Sequence, residues 1–255
     1  MKPEFTEFSF GYALTDNLRR STFGGFNAAP IFPSLYAEGG AQGGYDVEIP
    51  FAGAPLLLQF KVPEVLTRQS HRRPDGFGLP YYRMHIRPYR HSEQHRLLIE
   101  HQEQGRLVFY ASPRFHTTND MNIHFINDVI HHHTFFMSPL EIGDFADGDD
   151  HCVSYQEALD GAEVRSAPRK LHGHFDSESL QKQFEKAVPK KTSKSATVQK
   201  FAEMFETLLT MVQTRHVGKS VGPNVPDMAR RGPVQGSAYL ARVFFDSELF
   251  VVRRT

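Results

Sequence analysis

Apolar positions along this chain recur at helical spacing in some stretches and run unbroken in others. Within residues 6–20, Phe10, Ala13, Leu14 and Leu18 fall near a 3.6-residue period, which predicts an N-terminal helix. Leu56-Leu57-Leu58 leads into Gln59-Phe60-Lys61 and reads as a strand. The preceding run Gly43–Pro50 reads as a second strand that meets it at a turn over Phe51–Pro55. Ser92 is placed to cap a helix running to about Gln104, with Leu97 and Leu98 facing inward and Gly105 stopping it. Arg106–Ser112 is a strand apolar enough to be buried on both faces, ended by Pro113. From Asn119, Met121, Phe125 and Val129 repeat every four residues beside Ile126 and Ile130, which predicts an amphipathic helix finishing in His131–His133. An extended segment over Phe135–Met137 and an acidic loop over Asp144–Asp150 follow.

Beyond about Asp160 the pattern loosens. Residues 161–175 read as irregular, Ser177–Val188 as a short helix capped by Asp176, and Pro189–Ser195 as a basic linker. Thr197–Arg215 carries an apolar stripe of Phe201, Phe205, Leu208, Leu209 and Val212, so a longer helix is expected there. A Gly/Pro-rich stretch over Gly218–Gly236 leads to Tyr239–Val252, which reads as strand pieces.

Chemistry concentrates at the first strand pair. Side chains two apart on a strand point the same way, so Gln59 and Lys61 share a face. Asp46 lies on the run before them. A carboxylate on one strand beside an amide oxygen and an ammonium on the next suits metal-dependent phosphodiester hydrolysis. The oxygens hold a hard divalent cation, while the lysine orients a water or offsets charge building on phosphate.

These residues resemble the PD-(D/E)XK superfamily of restriction-endonuclease-like nucleases. Its pattern sets an Asp at a strand end and a (D/E/Q)-x-Lys on the next strand, often with an upstream helical Glu. Asp46 matches the Asp, although Tyr45 rather than Pro precedes it, and Gln59-Phe60-Lys61 matches the Q-x-K variant. Glu38 is the first choice for the upstream acid, with Glu7 or Asp16 on the N-terminal helix as alternatives. Glu48 shares a strand face with Asp46 and competes as a ligand. The resemblance spans roughly residues 33–110, less than half of the chain, on a short and degenerate motif.

The resemblance implies a mixed α/β fold, with a restriction-endonuclease-like α/β/α core over residues 1–160 and a mainly helical C-terminal appendage over residues 161–255. The implied activity is an Mg²⁺-dependent endonuclease, with Mn²⁺ as a substitute, acting on DNA rather than RNA in defence or restriction. Asp46, Gln59 and Glu38 would hold the metal, and Lys61 would complete the catalytic set. In such nucleases a polar residue on the helix after the Q-x-K strand often supports the site, and Gln94-His95 stands there. Ordinary first-turn polarity explains that pair equally well.

Charge adds a local feature and no global one. Lys plus Arg equals Asp plus Glu at 29 each, so nucleic acid would be drawn only by a patch. The span Arg68–Arg96 supplies one: Arg72, Arg73, Arg83, Arg87 and Arg90 are interleaved with Tyr81, Tyr82 and Tyr89, a combination suited to clamping phosphates and stacking bases. The plainer alternative is a solvated loop whose arginines pair with acids such as those of Asp144–Asp150.

Other chemistries find less support. A single cysteine, Cys152, excludes an internal disulfide framework and a Cys-based zinc cage, and fits a reducing cytosol. His151-Cys152 makes a poor thiol dyad, because neighbours on a strand face opposite ways. Fourteen histidines are present, but neither His131–His133 nor His172-Gly-His174 has metal-cage spacing, and there is no His-Glu-x-x-His. Phosphate-binding glycine loops and the Gly-x-Ser-x-Gly nucleophile motif are absent. No run is long enough to span a bilayer, and Met1–Glu7 lacks a signal-peptide core, so a cytoplasmic protein is expected. The rival to an enzyme is a non-catalytic nuclease-like module binding nucleic acid or protein. In it the Phe201–Val212 stripe serves a homo-oligomer, although closing the chain's own core is its commoner use.

Overall fold

The computed structural model describes residues 1–20, 54–68, 77–87, 94–145, 147–157, 161–165, 169–172, 175–187, 194–215, 232–245 and 247–252. These form a mixed α/β fold with two sheets. The elements that build the first sheet and its surroundings are α1 (Glu7–Arg20), β1 (Ala54–Phe60), α2 (Gln94–Glu103), β4 (Leu107–Pro113), α3 (Thr118–Ile126), β5 (Thr134–Met137), α5 (Ser177–Ala187), α6 (Lys194–Arg215), α7 (Pro233–Phe245) and β9 (Glu248–Val252). The second sheet is built from β2 (Glu64–Leu66), β3 (Tyr81–Ile86), β6 (His151–Tyr155), β7 (Gly161–Val164) and β8 (Arg169–His172), with a single helical turn, α4 (Pro139–Ile142), after β5.

In the first sheet the strand order is β5-β4-β1-β9. β1 runs parallel to β4, from Leu56 opposite Leu107 to Phe60 opposite Ala111. It runs antiparallel to β9, from Ala54 opposite Val252 to Leu58 opposite Glu248. The antiparallel neighbour of β1 over Ala54–Leu58 is thus β9. The run Gly43–Pro50, read as its hairpin partner, lies outside the described residues.

Apolar side chains on both faces of β1 and β4 call for cover on both sides, and the helices supply it. Leu56, Leu58, Phe60, Phe109 and Ala111 pack with Phe10, Leu14 and Leu18 of α1 and with Leu180 and Phe184 of α5. Leu57, Val108 and Tyr110 pack on the opposite face with Leu97 and Leu98 of α2, Phe201, Phe205 and Leu208 of α6, and Leu240 of α7. The Phe201–Val212 stripe therefore closes the chain's own core.

The second sheet is antiparallel throughout, in the order β2-β3-β6-β7-β8. Its inner face, including Val65, Tyr82, Met84, Val153, Tyr155 and Val164, joins that same core. β6 and β7 pair on either side of residue 160, and β9 enters the first sheet. The C-terminal third thus contributes to both sheets as well as three helices.

Several elements depart from the sequence reading. The polar stretch after Lys61 contains β3, in which Tyr82, Met84 and Ile86 turn inward while Arg83 and His85 turn out. The predicted irregular region holds β7 and β8. The helix from Thr118 ends at Ile126, because Asn127 caps it onto the Ile123 and Phe125 carbonyls and Asp128 takes φ 56°. His131–His133 belong instead to a separate 3₁₀ turn, Ile130–His133. Tyr239–Phe245 is helical, since Ala238, Leu240 and Ala241 bury against α6, and only Glu248–Val252 is strand.

Candidate functional site

Lys61 follows the last residue of β1, and its backbone is held on both sides. Its N–H donates to Ala111 O at 3.0 Å, and its carbonyl accepts from Ser112 Oγ at 2.9 Å. Ser112 Oγ in turn accepts from the buried Tyr155 hydroxyl at 2.7 Å. The residue is only 7% exposed. Its ammonium reaches the first residue of α2, donating to Gln94 Oε1 at 3.5 Å.

His95, next along α2, is fixed from both ring nitrogens. Nε2 lies 2.9 Å from Gly143 O, an acceptor only, so Nε2 carries the proton and Nδ1 accepts from Tyr110 OH at 3.1 Å. Burial holds this imidazole below the ordinary histidine range. Tyr110 is the β4 register partner of Gln59. Gln94-His95 thus ties the start of α2 to the end of β1 through one buried polar layer.

Gln59 shares the Lys61 face, as strand spacing requires, and is 1% exposed. Ser247 Oγ donates to its Oε1 at 3.1 Å, and its amide nitrogen lies 3.4 Å from Phe60 O. Ser247 immediately precedes β9, whose first residue, Glu248, is buried and ion-paired with Arg242 at 2.6 Å. β9 pairs with β1 only as far as Leu58, so the sheet opens on that side at Gln59.

A cavity of about 380 Å³ occupies this opening. Gln59, Glu248, Arg242 and Glu7 form its polar lining, and Phe8, Gly11, Tyr12 and Phe60 its apolar lining. Glu7 opens α1 and accepts from the Val62 N–H at 3.3 Å, which anchors its carboxylate beside the end of β1. Gly11 permits this approach, because a Cβ there would stand 2.7 Å from the Phe60 ring. With Glu7, Glu248 and Arg242 in one cavity, two negative charges face one positive charge. Arg242 pairs with Glu248, so the lining carries one net negative charge.

Of the predicted site residues, Gln59 lines the cavity, whereas Lys61, just past the end of β1, is buried against Gln94 and is not part of the lining. Asp46, Glu38 and Glu48 lie outside the described residues. Among the alternatives for the helical acid, Glu7 lines the cavity, whereas Asp16 pairs with Arg19 and Arg20. Among the described residues no three His, Cys, Asp or Glu side chains are grouped to hold a metal ion. The oxygen donors of the cavity are Glu7, Glu248 and the Gln59 amide. Glu248 and Ser247 were not singled out from the sequence; the apolar Leu249–Val252 run after them is the signal that a strand begins there.

The basic stretch is only partly described. Arg83, on the outer face of β3, donates to Glu64 at 3.4 Å and to Tyr81 OH at 3.4 Å, and Arg87 is exposed just past the strand. Arg72, Arg73 and Arg90 lie outside the described residues. Tyr81 and Tyr82 are buried, with Tyr82 stacked on Tyr155 at 5.5 Å, so neither offers a ring to a base. The three consecutive histidines go to separate partners: the His131 N–H to Asn17, His132 to Ser177 and His133 to Glu157. His151 faces inward and pairs with Asp147 at 2.6 Å, while Cys152 faces out with a thiol pushed up by burial. Those two side chains do not form a dyad.

No helix among the described residues is long and apolar enough to cross a membrane. No protein-family model matches the chain, and neither the curated proteins nor the solved structures contain a match.

Proposed function

We propose that this chain is a restriction-endonuclease-like nuclease of the Q-x-K type that hydrolyses phosphodiester bonds with Mg²⁺, with DNA as its substrate. One observation carries the reading. Gln59, at the end of a buried central strand, lines a cavity that also holds two carboxylates, and Lys61 is enclosed two residues further on against Gln94. A lysine is rarely enclosed in a sheet without a task.

In this reading Gln59 Oε1 and the Glu7 carboxylate are ligands from the described residues, with Asp46 as the further acid and Glu7 in the role first assigned to Glu38. Glu248 contributes once Arg242 turns to substrate phosphate. Hard oxygens in small number suit Mg²⁺, which keeps waters of its own. When bound, the ion would supply charge neutralisation on phosphate and a more acidic water. The Lys61 ammonium, steadied by Gln94, orients the attacking water and offsets charge on the phosphate oxygens. A bond forms from the water oxygen to phosphorus as that water gives up a proton to bulk solvent, the bond to the leaving ester oxygen breaks, and that oxygen takes a proton from solvent.

The test is incubation of the purified protein with plasmid and linear DNA in Mg²⁺, Mn²⁺ or chelator, alongside Lys61→Met, Glu7→Gln and Asp46→Asn. Metal-dependent cleavage that disappears with Lys61→Met supports an enzyme. Salt-sensitive binding with no cleavage under any metal identifies a non-catalytic nucleic-acid-binding module instead.

A further inference from the structure

Tyr81 and Tyr82 of the basic stretch are buried, but another aromatic pair stands at the cavity. Phe8 and Tyr12 are four residues apart on α1 and so lie on one helix face. They are 76% and 63% exposed. Both line the same cavity as Gln59, and Phe60 supplies a third ring to its wall. Single exposed apolar side chains are commonplace on protein surfaces, whereas two large rings one helical turn apart at a cavity mouth make a platform.

The size and position of the cavity select what fits that platform. Pockets for small ligands begin at roughly 300 Å³, so this volume takes a nucleotide-sized group and excludes a duplex. Arg242 lines the same cavity, its side chain 44% exposed, and can meet a phosphate. Bases inside a duplex keep their faces stacked on one another, and only unpaired nucleotides present a free π-face to a protein ring.

We infer that Phe8 and Tyr12 stack an unpaired nucleotide next to the scissile phosphate, so that the substrate is single-stranded or frayed DNA and not intact duplex. This rests on the reading of the adjoining Gln59–Lys61 site as a phosphodiester-hydrolysing centre. Both rings project into solvent, and their removal leaves the packed core intact.

The experiment measures binding of short fluorescent oligonucleotides, single-stranded and blunt duplex, in chelator, where cleavage is silent. A 2-aminopurine reporter is placed in the single strand. Wild-type protein prefers the single strand and quenches the reporter. Phe8→Ala and Tyr12→Ala each weaken single-strand binding on the order of tenfold and relieve the quench, whereas Tyr12→Phe, which keeps the ring, binds as wild type. Alanine variants with wild-type single-strand affinity, or equal affinity for duplex and single strand, overturn the inference. If Lys61→Met still abolishes metal-dependent cleavage in that case, the nuclease reading survives alone. If wild-type protein neither binds nor cleaves either oligonucleotide, both fall.

Discussion

Lys61 stands in a place where water scarcely reaches, and Gln94 Oε1 accepts from its side-chain nitrogen. Lys61→Met keeps the length of the side chain and removes the charge. We expect DNA cleavage to fall by about 10²-fold or more, as loss of an electrostatic catalytic group entails. A lowered thermal midpoint with activity retained would assign Lys61 to structure alone. Glu7→Gln separates two roles in the same way. The amide oxygen still accepts from the Val62 N–H, so α1 stays docked, but the Mg²⁺ concentration giving half-maximal cleavage rises on the order of tenfold. A metal titration of the rate reads this directly. Gln59 and Lys61 were legible because strand alternation alone puts them on one face. Ser247 and Glu248 were not, because their relation to Gln59 spans 188 residues of chain and exists only once β9 has docked.

At the scale of elements, the sequence was readable where one periodicity dominates. The stripes of α1 and α6 and the unbroken apolar run of β4 correspond to buried faces, and Asp176 caps α5 through the Ser179 N–H at 2.8 Å, as expected. It was unreadable where polar or small residues carry the pattern. β3 alternates, but its outward Arg83 and His85 resemble loop residues. α7 has Gly236, Ser237 and Ala238 where a helix usually places bulk, and these small residues let it press onto α6. Ser237 Oγ reaches the Phe201 carbonyl at 3.3 Å, and a methyl on Gly236 would overlap the Phe205 ring. Gly236→Ala is therefore expected to destabilise by about 1–3 kcal/mol in urea unfolding, despite the better helix propensity of alanine. Combining it with Phe205→Leu, which vacates the overlap, should recover part of that loss. Strict additivity of the two losses would mean that the helices do not meet there.

For the molecule as a whole, one buried feature recurs: imidazoles kept neutral. Burial lowers His95, His101, His124 and His131, taking His101 down to about 3 and His131 to about 4. His101 of α2 lies beside Arg106, whose guanidinium also reaches Thr207 of α6, and that neighbouring cation lowers it further. A histidine depressed in the folded state adds nothing to the pH dependence above about 6.5, where both states are neutral. Between its folded value and that point the unfolded chain binds a proton that the fold refuses. Stability therefore falls as pH drops, by up to about 1.4 kcal/mol per pH unit for each such proton. Glu141, pushed up by burial, acts in the opposite direction from the ordinary carboxylate value upward, and so offsets part of the histidine effect. The thermal midpoint should hold steady from pH 8 to about 7 and decline from about pH 6.5 to 5, before most carboxylates begin to protonate. His101→Gln keeps an acceptor for Arg106 and has nothing to titrate, so calorimetry on that variant should show a shallower decline over the same interval. An unchanged slope would place the acid sensitivity in the other histidines and remove the His101–Arg106 pair as its source.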